Sequence, residues 1–213
     1  MNISFIEFLA KNEAMRFGEF TLKSGRVSPY FIDVGVISGG SAIADMGRFY
    51  AAKIHEAFGD RFDVVFGPAY KGIPLAISAA IELKYLHGMD KRWLFDRKEK
   101  KLHGADADSV FVGSQGLDYG QKVVLVDDVL TTGGTKVDAI EKLQKSLKAE
   151  VIGIVIAVDR KERGKRKSAL EEFTEETGVP VHSIIDINMA FNHLKDRKLD
   201  NGRHLHKRAD IER

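Results

Sequence analysis

Short apolar runs separated by amphipathic stretches divide the chain into alternating strands and helices. The runs at residues 123–126 (VVLV) and 151–158 (VIGIVIAV) are apolar throughout, which is typical of parallel strands covered on both faces. Four shorter runs predict further strands, at residues 63–66, 93–95, 110–112 and 181–185. This order predicts an α/β fold with an open, mostly parallel sheet and helices on both faces.

Helices are predicted where apolar residues recur at helical spacing between these runs. The predicted helices cover residues 41–58, 74 to about 86, 135–147 and 168–178. Near the N-terminus, Ser4 and Glu7 form a capping-box pattern at the start of another helix. Its apolar face would comprise Phe5, Phe8, Leu9 and Met15. Residues 188–213 are expected to form a last helix and a charged end.

The early part of the chain has the pattern of a hairpin. Strands are predicted at residues 17–22 and 29–34, and the turn between them carries Lys23 and Arg26. Taken alone, such a turn is most simply a solvated surface feature. We expect one domain over residues 1–213, with a small hood formed mainly by residues 1–40.

The chemistry of the chain centres on DDVLTTGGT, residues 127–135, directly after the strand at 123–126. The Thr/Gly turn opens a helix, and free amides at a helix start favour phosphate. Carboxylates instead bind hydroxyls or a metal, so Asp127 and Asp128 beside such a turn indicate a ribose 5-phosphate. The alternative interpretation is an ordinary strand, turn and helix cap with solvated acids.

Three other polar segments follow predicted strands. Residues 67–72 place Tyr70 and Lys71 between two glycines, which let the backbone take unusual angles and aim the cation into a crevice. Residues 96–109 carry a cluster of cations before Gly104, with Leu102 as their one large apolar residue, so this segment should be mobile. From composition alone, a solvated charged face is an equally good interpretation. Arg160 ends the run at 151–158, and its forked guanidinium suits a planar carboxylate.

Composition excludes several classes of function. Lys and Arg total 33 against 31 for Asp and Glu, so there is no general case for nucleic acid as a partner. The absence of cysteine excludes disulfides and thiolate chemistry and fits a reducing cytoplasmic location. Charged residues interrupt the apolar pattern of the first fifteen residues, and no run has membrane-spanning length.

Four stretches resemble orotate phosphoribosyltransferases of the type I phosphoribosyltransferase family. VVLVDDVLTTGGT resembles the motif that binds phosphoribosyl pyrophosphate (PRPP), and FGEFTLKSGRVSPYF resembles the amino-terminal hood. FGPAYKGIPLA is similar to the pyrophosphate loop, and RKEKKLHG is similar to the flexible catalytic loop. The resemblance covers essentially the whole chain.

The resemblance implies a set of site residues. PRPP-binding residues would be Lys23, Tyr70, Lys71, Arg97, Lys98, Lys101, His103, Asp127, Asp128, Val129, Leu130, Thr131, Thr132, Gly133, Gly134 and Thr135. Residues in contact with orotate would be Phe31, Ile32, Thr131 and Arg160. Catalytic roles would fall to Asp127, Asp128, Lys101 and His103. Ile32 departs from the aromatic pair usual in the family, and it offers no ring for stacking on a pyrimidine.

By the same resemblance, the protein would transfer ribose 5-phosphate from PRPP to orotate, giving orotidine 5′-phosphate and pyrophosphate in UMP synthesis. Mg²⁺ would be the cofactor, held mainly by PRPP and water rather than by protein ligands. A homodimer with the catalytic loop acting in trans is implied, without nucleic-acid or membrane partners. Two alternatives stay open, a purine (adenine) phosphoribosyltransferase and a PRPP-binding regulatory protein.

Overall fold

A six-stranded sheet forms the centre of the protein in the computed structural model, which describes residues 2–21, 25, 27–99, 110–130 and 133–195. Its strands are β3 (Val64–Phe66), β4 (Arg92–Asp96), β5 (Phe111–Val112), β6 (Lys122–Asp127), β7 (Glu150–Asp159) and β8 (Val181–Asp186). They lie in the order β5-β4-β3-β6-β7-β8. All neighbours are parallel except β5, which pairs antiparallel with β4 at one edge. The predicted open α/β sheet is confirmed.

Helices cover both faces of this sheet, which explains why the central strands are apolar throughout. Val124 and Val126 of β6 contribute to one buried cluster, and Val123 and Leu125 to the other. Side chains alternate along a strand, so each face of β6 needs its own apolar set. The first cluster lies under α2 (Gly40–Phe58) and α3 (Gly72–His87), and the second under α4 (Gly134–Leu147) and α5 (Ala169–Thr177).

The N-terminal residues form a helix and a separate two-stranded sheet. Helix α1 (Asn2–Lys11) buries Phe5, Ile6 and Leu9 in the first cluster. Strands β1 (Met15–Thr21) and β2 (Val27–Ile32) pair antiparallel, which confirms the predicted hairpin. Whether this part acts as the hood expected for residues 1–40 stays a prediction.

Two details of the N-terminal prediction are wrong. The helix begins at Asn2, so Ser4 lies inside it rather than at its cap, and Met15 is the first residue of β1. The chain leaves the helix after Lys11 through a turn in which Glu13 has a positive φ of 56°. Met15 is still buried, because β1 packs its first residue against the same core.

The last helix, α6 (Ile187–Leu194), directly follows β8 and is capped by Asp186, whose side chain accepts a hydrogen bond from the Met189 amide. A capping box formed by Ser168 and Glu171 starts α5, as the sequence predicts. The charged end expected after α6 falls on residues 196–213, outside the described residues.

Candidate active site

The two acids of the central motif lie at the carboxyl end of β6. Asp127 is the last residue of the strand. The phenol of Tyr50 donates to the Asp127 carbonyl at 2.7 Å, and the Ala157 amide donates to the Asp128 carbonyl at 3.0 Å. Both side chains are buried, with residue exposures of 8% and 7%. The acids are therefore fixed parts of the sheet edge rather than solvated turn residues.

Lys71 links this edge to the loop after β3. Its ammonium lies 3.0 Å from Asp128 Oδ2 and 3.0 Å from Asp33 Oδ1. The side chain of Asp33 also accepts a hydrogen bond from the Gly35 amide at 3.0 Å. A cation from the predicted pyrophosphate loop is thus placed beside an acid of the predicted ribose site.

The ionisation of these groups follows from their surroundings. Partial burial raises the pKa of Asp33, but hydrogen bonds from Lys71 and Gly35 outweigh it, and the net pKa is below the ordinary value. Burial lowers the pKa of Lys71, but Asp128 and Asp33 together raise it above the ordinary value. Both groups therefore keep their charges at neutral pH.

A second ion pair, formed by Asp127, is more deeply buried than the first. Lys136, in the first turn of α4, places its ammonium 2.5 Å from Asp127 Oδ2 and donates to the Val129 carbonyl at 2.8 Å. Burial is the largest influence on Asp127 and raises its pKa above the ordinary value, while Lys136 limits that rise. The other oxygen of Asp127 accepts from the Asp128 amide at 2.9 Å, so both carboxylate oxygens are engaged within the protein.

Backbone contact shapes the loop between β3 and α3. A Cβ atom on Gly67 would lie 1.9 Å from the Gly72 carbonyl oxygen, and one on Gly72 would lie 2.6 Å from the Gly67 carbonyl carbon. Neither glycine has a positive φ. The expectation of unusual backbone angles is borne out only at the Ala69–Tyr70 peptide bond, which is cis; the two glycines themselves are needed for close approach, which presents Tyr70 and Lys71 at the tip.

An acid at the end of β4 holds the same loop. Asp96 is buried; its Oδ1 accepts from the Ala69 amide at 2.8 Å, and its Oδ2 lies 3.1 Å from the Lys142 ammonium. The next residue, Arg97, donates its backbone amide to Val110. Its side-chain Nε is buried and has no hydrogen-bond partner among the described residues. A buried donor without a partner suits a site that receives an anion.

At the end of β7, Arg160 is held by the hairpin. Its guanidinium lies 5.3 Å from the centroid of the Tyr30 ring and 3.2 Å from Glu162 Oε1. The phenol of Tyr30 donates to the Arg160 carbonyl at 3.1 Å. The hairpin and the main sheet are thereby joined at the predicted orotate side of the site.

The two predicted base-contacting residues of the hairpin have different surroundings. Phe31 is half-buried, with its ring centroid 5.6 Å from that of Phe20 and the Arg16 guanidinium 5.2 Å from its centroid. Ile32 packs against the main core. Phe31 thus packs against side chains of the hairpin, whereas Ile32 is partly buried against the first core cluster.

The phosphate turn is described at both of its ends. Val129 donates its amide to Asp128 Oδ1 at 2.9 Å, and Leu130 is buried in the second core cluster. Gly133 has a φ of +75° and caps α4, which begins at Gly134 and includes Thr135. The predicted helix after the turn is confirmed. Predicted site residues outside the described part of the chain are Lys23, Lys101, His103, Thr131 and Thr132.

The remaining predicted residues lie at the same edge of the sheet. Tyr70 is exposed, with a residue exposure of 71%, and Lys98 follows Arg97 in the segment after β4. Because the strands are parallel, the segments after β3, β4, β6 and β7 all leave the sheet at this edge. The segments after β3, β6 and β7 therefore lie at the same end of the strands as the start of the segment after β4.

Sequence comparison identifies the family. The sequence matches the family model described as phosphoribosyl transferase domain over residues 35–185. It is 45% identical to an orotate phosphoribosyltransferase of Pseudomonas fluorescens, covering 90% of this chain and 87% of that one. It is 48% identical to one of Bifidobacterium adolescentis, covering 88% and 83%. The chain belongs to the orotate phosphoribosyltransferase family.

Solved structures agree with this assignment. The fold is similar to orotate phosphoribosyltransferase of Francisella tularensis, with a TM-score of 0.78, 34% identity and coverage of 98% of this chain and 94% of that one. Similarity to the Aeropyrum pernix enzyme is lower, with a TM-score of 0.68, 27% identity and coverage of 89% and 97%. Adenine phosphoribosyltransferase of Thermoanaerobacter pseudethanolicus, at 20% identity and a TM-score of 0.52 over 80% of this chain and 95% of that one, shares the fold alone.

No described helix is long and apolar enough to span a membrane. Among the described residues, no group of three or more His, Asp or Glu side chains is arranged to hold a metal ion.

Sequence reasoning missed four residues that shape the site. These are Asp33, Asp96, Lys136 and Lys142. Lys136 could have been identified from the sequence, because a cation in the first turn of a helix is unfavourable next to the helix dipole and indicates a nearby carboxylate. Asp33 pairs with Lys71, and Asp96 pairs with Lys142. The partners are far apart in sequence, so no local pattern predicts these pairs.

Proposed function

We propose that the protein transfers ribose 5-phosphate from PRPP to orotate, in the Mg²⁺-dependent step that yields orotidine 5′-phosphate and pyrophosphate for UMP synthesis. One observation carries the proposal. Lys71 reaches from the loop after β3 to Asp128 at the end of β6, so a cation suited to pyrophosphate adjoins an acid suited to ribose hydroxyls. A sugar that carries pyrophosphate at C1′ and phosphate at C5′ has groups for both loops and for the turn before α4.

The reaction separates charge, and the site residues match that separation. As the bond from C1′ to pyrophosphate breaks, the ribose becomes cationic and the leaving group gains negative charge. Asp127 and Asp128 stabilise the sugar, directly or through its hydroxyls. Lys23, Tyr70, Lys71, Arg97, Lys98, Lys101 and His103 serve the pyrophosphate. The turn from Val129 to Thr135, with Thr131, Thr132, Gly133 and Gly134, holds the 5′-phosphate.

Orotate differs from uracil by its carboxylate, which is the group that Arg160 suits. The guanidinium is positioned by Tyr30 and Glu162, and a guanidinium has five N–H donors, so donors remain for a ligand carboxylate. Phe31, Ile32 and Thr131 complete the proposed orotate site. The half-buried ring of Phe31 offers the apolar surface that a pyrimidine face requires.

Magnesium fits this site as a partner of PRPP rather than of the protein. The carboxylates at the edge are already paired, Asp128 with Lys71 and Asp127 with Lys136, which leaves oxygens of PRPP and water as its main ligands. When bound, the ion neutralises part of the pyrophosphate charge. We further propose a cytoplasmic homodimer in which the segment at residues 97–103 of one subunit serves the site of the other.

Substrate competition tests the function. The protein is incubated with PRPP, Mg²⁺ and one of orotate, adenine or hypoxanthine, and base consumption and pyrophosphate release are followed. We expect consumption of orotate alone. Consumption of adenine or hypoxanthine instead would assign a purine enzyme, and PRPP binding without turnover of any base would assign a regulatory protein.

A further inference from the structure

The buried ammonium of Lys136 is the feature of the site that the proposed reaction does not yet use. We propose that Lys136 is a positioning residue that clasps the PRPP turn and keeps Asp127 in its charged form. This inference rests on the proposed function. It assigns to Lys136 no contact with substrate, because its ammonium is buried against Asp127 and the Val129 carbonyl.

The clasp joins the two ends of the turn. Lys136 lies in the first turn of α4, and its ammonium donates to the Val129 carbonyl at 2.8 Å, seven residues earlier. Its backbone amide donates to the Gly133 carbonyl at 2.9 Å. The side chain of Lys136 therefore links the two ends of the turn. It fixes the distance between these ends, and a phosphate group must fit between them.

The same ammonium balances a buried charge. It lies 2.5 Å from Asp127 Oδ2, and the side chains of Lys136 and Asp127 are only 10% and 12% exposed. At such burial an unpaired carboxylate is costly and takes up a proton instead. A Lys with its cation in the first turn of a helix also opposes the helix dipole, so the position of Lys136 is explained by its partner and not by helix stability.

Other groups around Asp127 do not supply a cation in place of Lys136. Directly after β6, Asp128 adds a negative charge, and its amide donates to Asp127 Oδ1. From α2, the Tyr50 phenol is neutral, because burial raises its pKa well above the ordinary value, and it donates to the Asp127 carbonyl. Lys71, from the loop before α3, is paired with Asp128 and Asp33. Among the described residues, Lys136 is thus the cation paired with Asp127.

Replacement of Lys136 by methionine tests both roles. A nearby opposite charge lowers a carboxyl pKa by about 1–3 units. We therefore expect the acid limb of the pH profile of kcat/KM for PRPP to lie at a pH higher by about one unit or more in Lys136→Met. At neutral pH, KM for PRPP should rise by about tenfold or more, with a smaller change in KM for orotate. Lys136→Arg keeps the charge and should retain the wild-type position of the acid limb.

Two further proteins make the outcome decisive. Lys145→Met, on the exposed side of the same helix where Lys145 pairs with Glu141, is the matched control and should behave as wild type. Lys136→Gln is measured alongside in case methionine prevents folding, and the same shift is expected of it. An acid limb at the wild-type pH in both uncharged variants would overturn the proposal, even if activity falls at every pH.

A readout without substrates separates this inference from the proposed function. The carboxyl carbon of Asp127 is followed by NMR from pH 3 to 9 in wild type and Lys136→Met, with Asp127→Asn to assign its signal. We expect the titration to move to higher pH in Lys136→Met. If wild type consumes no orotate, the proposed function fails while this shift still tests Lys136; if orotate is consumed and the titration does not move, Lys136 fails alone.

Discussion

At the scale of single residues, the charged side chains of the site form ion pairs. Lys71 lies between Asp33 and Asp128, and Lys136 lies between Asp127 and a backbone carbonyl. Such pairing offsets part of the cost of burying each charge. We expect pyrophosphate to displace a carboxylate when it binds Lys71. Part of the binding energy of pyrophosphate would then offset the loss of the ion pair between Lys71 and that carboxylate.

The sharpest residue-scale prediction concerns Arg160. Uracil lacks the carboxylate of orotate, so the donors of the partly buried Arg160 guanidinium that Glu162 does not use would be left without their ligand partner. We expect kcat/KM for uracil to be lower than that for orotate by a factor of about 10⁴ or more. Steady-state rates with each base at saturating PRPP measure this ratio. Comparable use of the two bases would remove Arg160 from the proposed orotate site.

A second residue-scale prediction concerns Lys101, which lies outside the described residues. Because RKEKKLHG resembles the catalytic loop of the family, we propose that the positive charge of Lys101 stabilises the leaving pyrophosphate. We expect Lys101→Ala to lower kcat by about a hundred to a thousandfold, the range for loss of one aimed electrostatic group, with a smaller change in KM. Lys100→Ala is the matched control, because the resemblance gives Lys100 no role. Turnover close to wild type in Lys101→Ala would make the segment an ordinary charged surface.

At the scale of elements, the site is built where strands end. Each of β3, β4, β6 and β7 is followed by a segment that carries site residues, and the loops are shaped by the sheet as much as by their own residues. Asp96 of β4 binds the loop after β3, and Ala157 of β7 binds the backbone of Asp128 after β6. Each loop is thus supported by its neighbouring strand.

The contact between Gly67 and Gly72 gives an element-scale prediction. A methyl group at residue 67 would overlap the Gly72 carbonyl at 1.9 Å, and neither backbone can retreat without moving the loop that carries Lys71. We expect Gly67→Ala to lower the free energy of unfolding by about 1–3 kcal/mol and to raise KM for PRPP. Urea unfolding and PRPP titration measure the two effects.

Gly40→Ala is the control for that experiment. Gly40 is the first residue of α2, and a Cβ there would have no neighbour within 4 Å. Its stability and its KM should match those of wild type or improve slightly, because alanine is the better helix former. Equal behaviour of the two variants would mean that the loop yields to the methyl group without loss.

At the scale of the whole molecule, the parallel sheet gathers residues from distant parts of the chain. Tyr30 from the hairpin reaches Arg160 after β7, and Asp33 reaches Lys71 after β3. The hairpin and Asp33, the residue directly after it, therefore contact both the proposed orotate side and the proposed pyrophosphate side of the site. We expect any movement of the hairpin to affect binding of both substrates.

Mixing of two inactive variants tests the proposed dimer with its loop acting in trans. Lys101→Ala subunits have a defective loop, and Asp127→Asn subunits have a defective PRPP site. Refolded together in equal amounts, half the dimers are mixed and each has one undamaged composite site, so about one quarter of all sites should recover. The assay compares the mixture with each variant refolded alone. No gain in activity, with mixed dimers shown to form, would mean that each loop serves its own subunit.

Local pattern was enough to predict most of the elements and the place of the chemistry. The uniform apolar runs at β6 and β7 reflect burial on both faces, and the capping box at Ser168 is a short-range signal. The N-terminal helix was placed too far along the chain, because Ser4 imitates a cap and Met15 fits the helical period although it lies in β1. Periodicity alone does not show where a helix gives way to a buried strand.

The sequence by itself determined the fold class, the position of Asp127 and Asp128 at a strand end, and the family, because each depends on neighbouring residues. The tertiary structure alone decided which charges meet. The ion-pair partners of Lys71 and Asp96 are 38 or more residues away along the chain, and the role of Lys136 is evident only beside Asp127. Electrostatic pairing depends on distance in space, and parallel strands bring residues together that the chain keeps far apart.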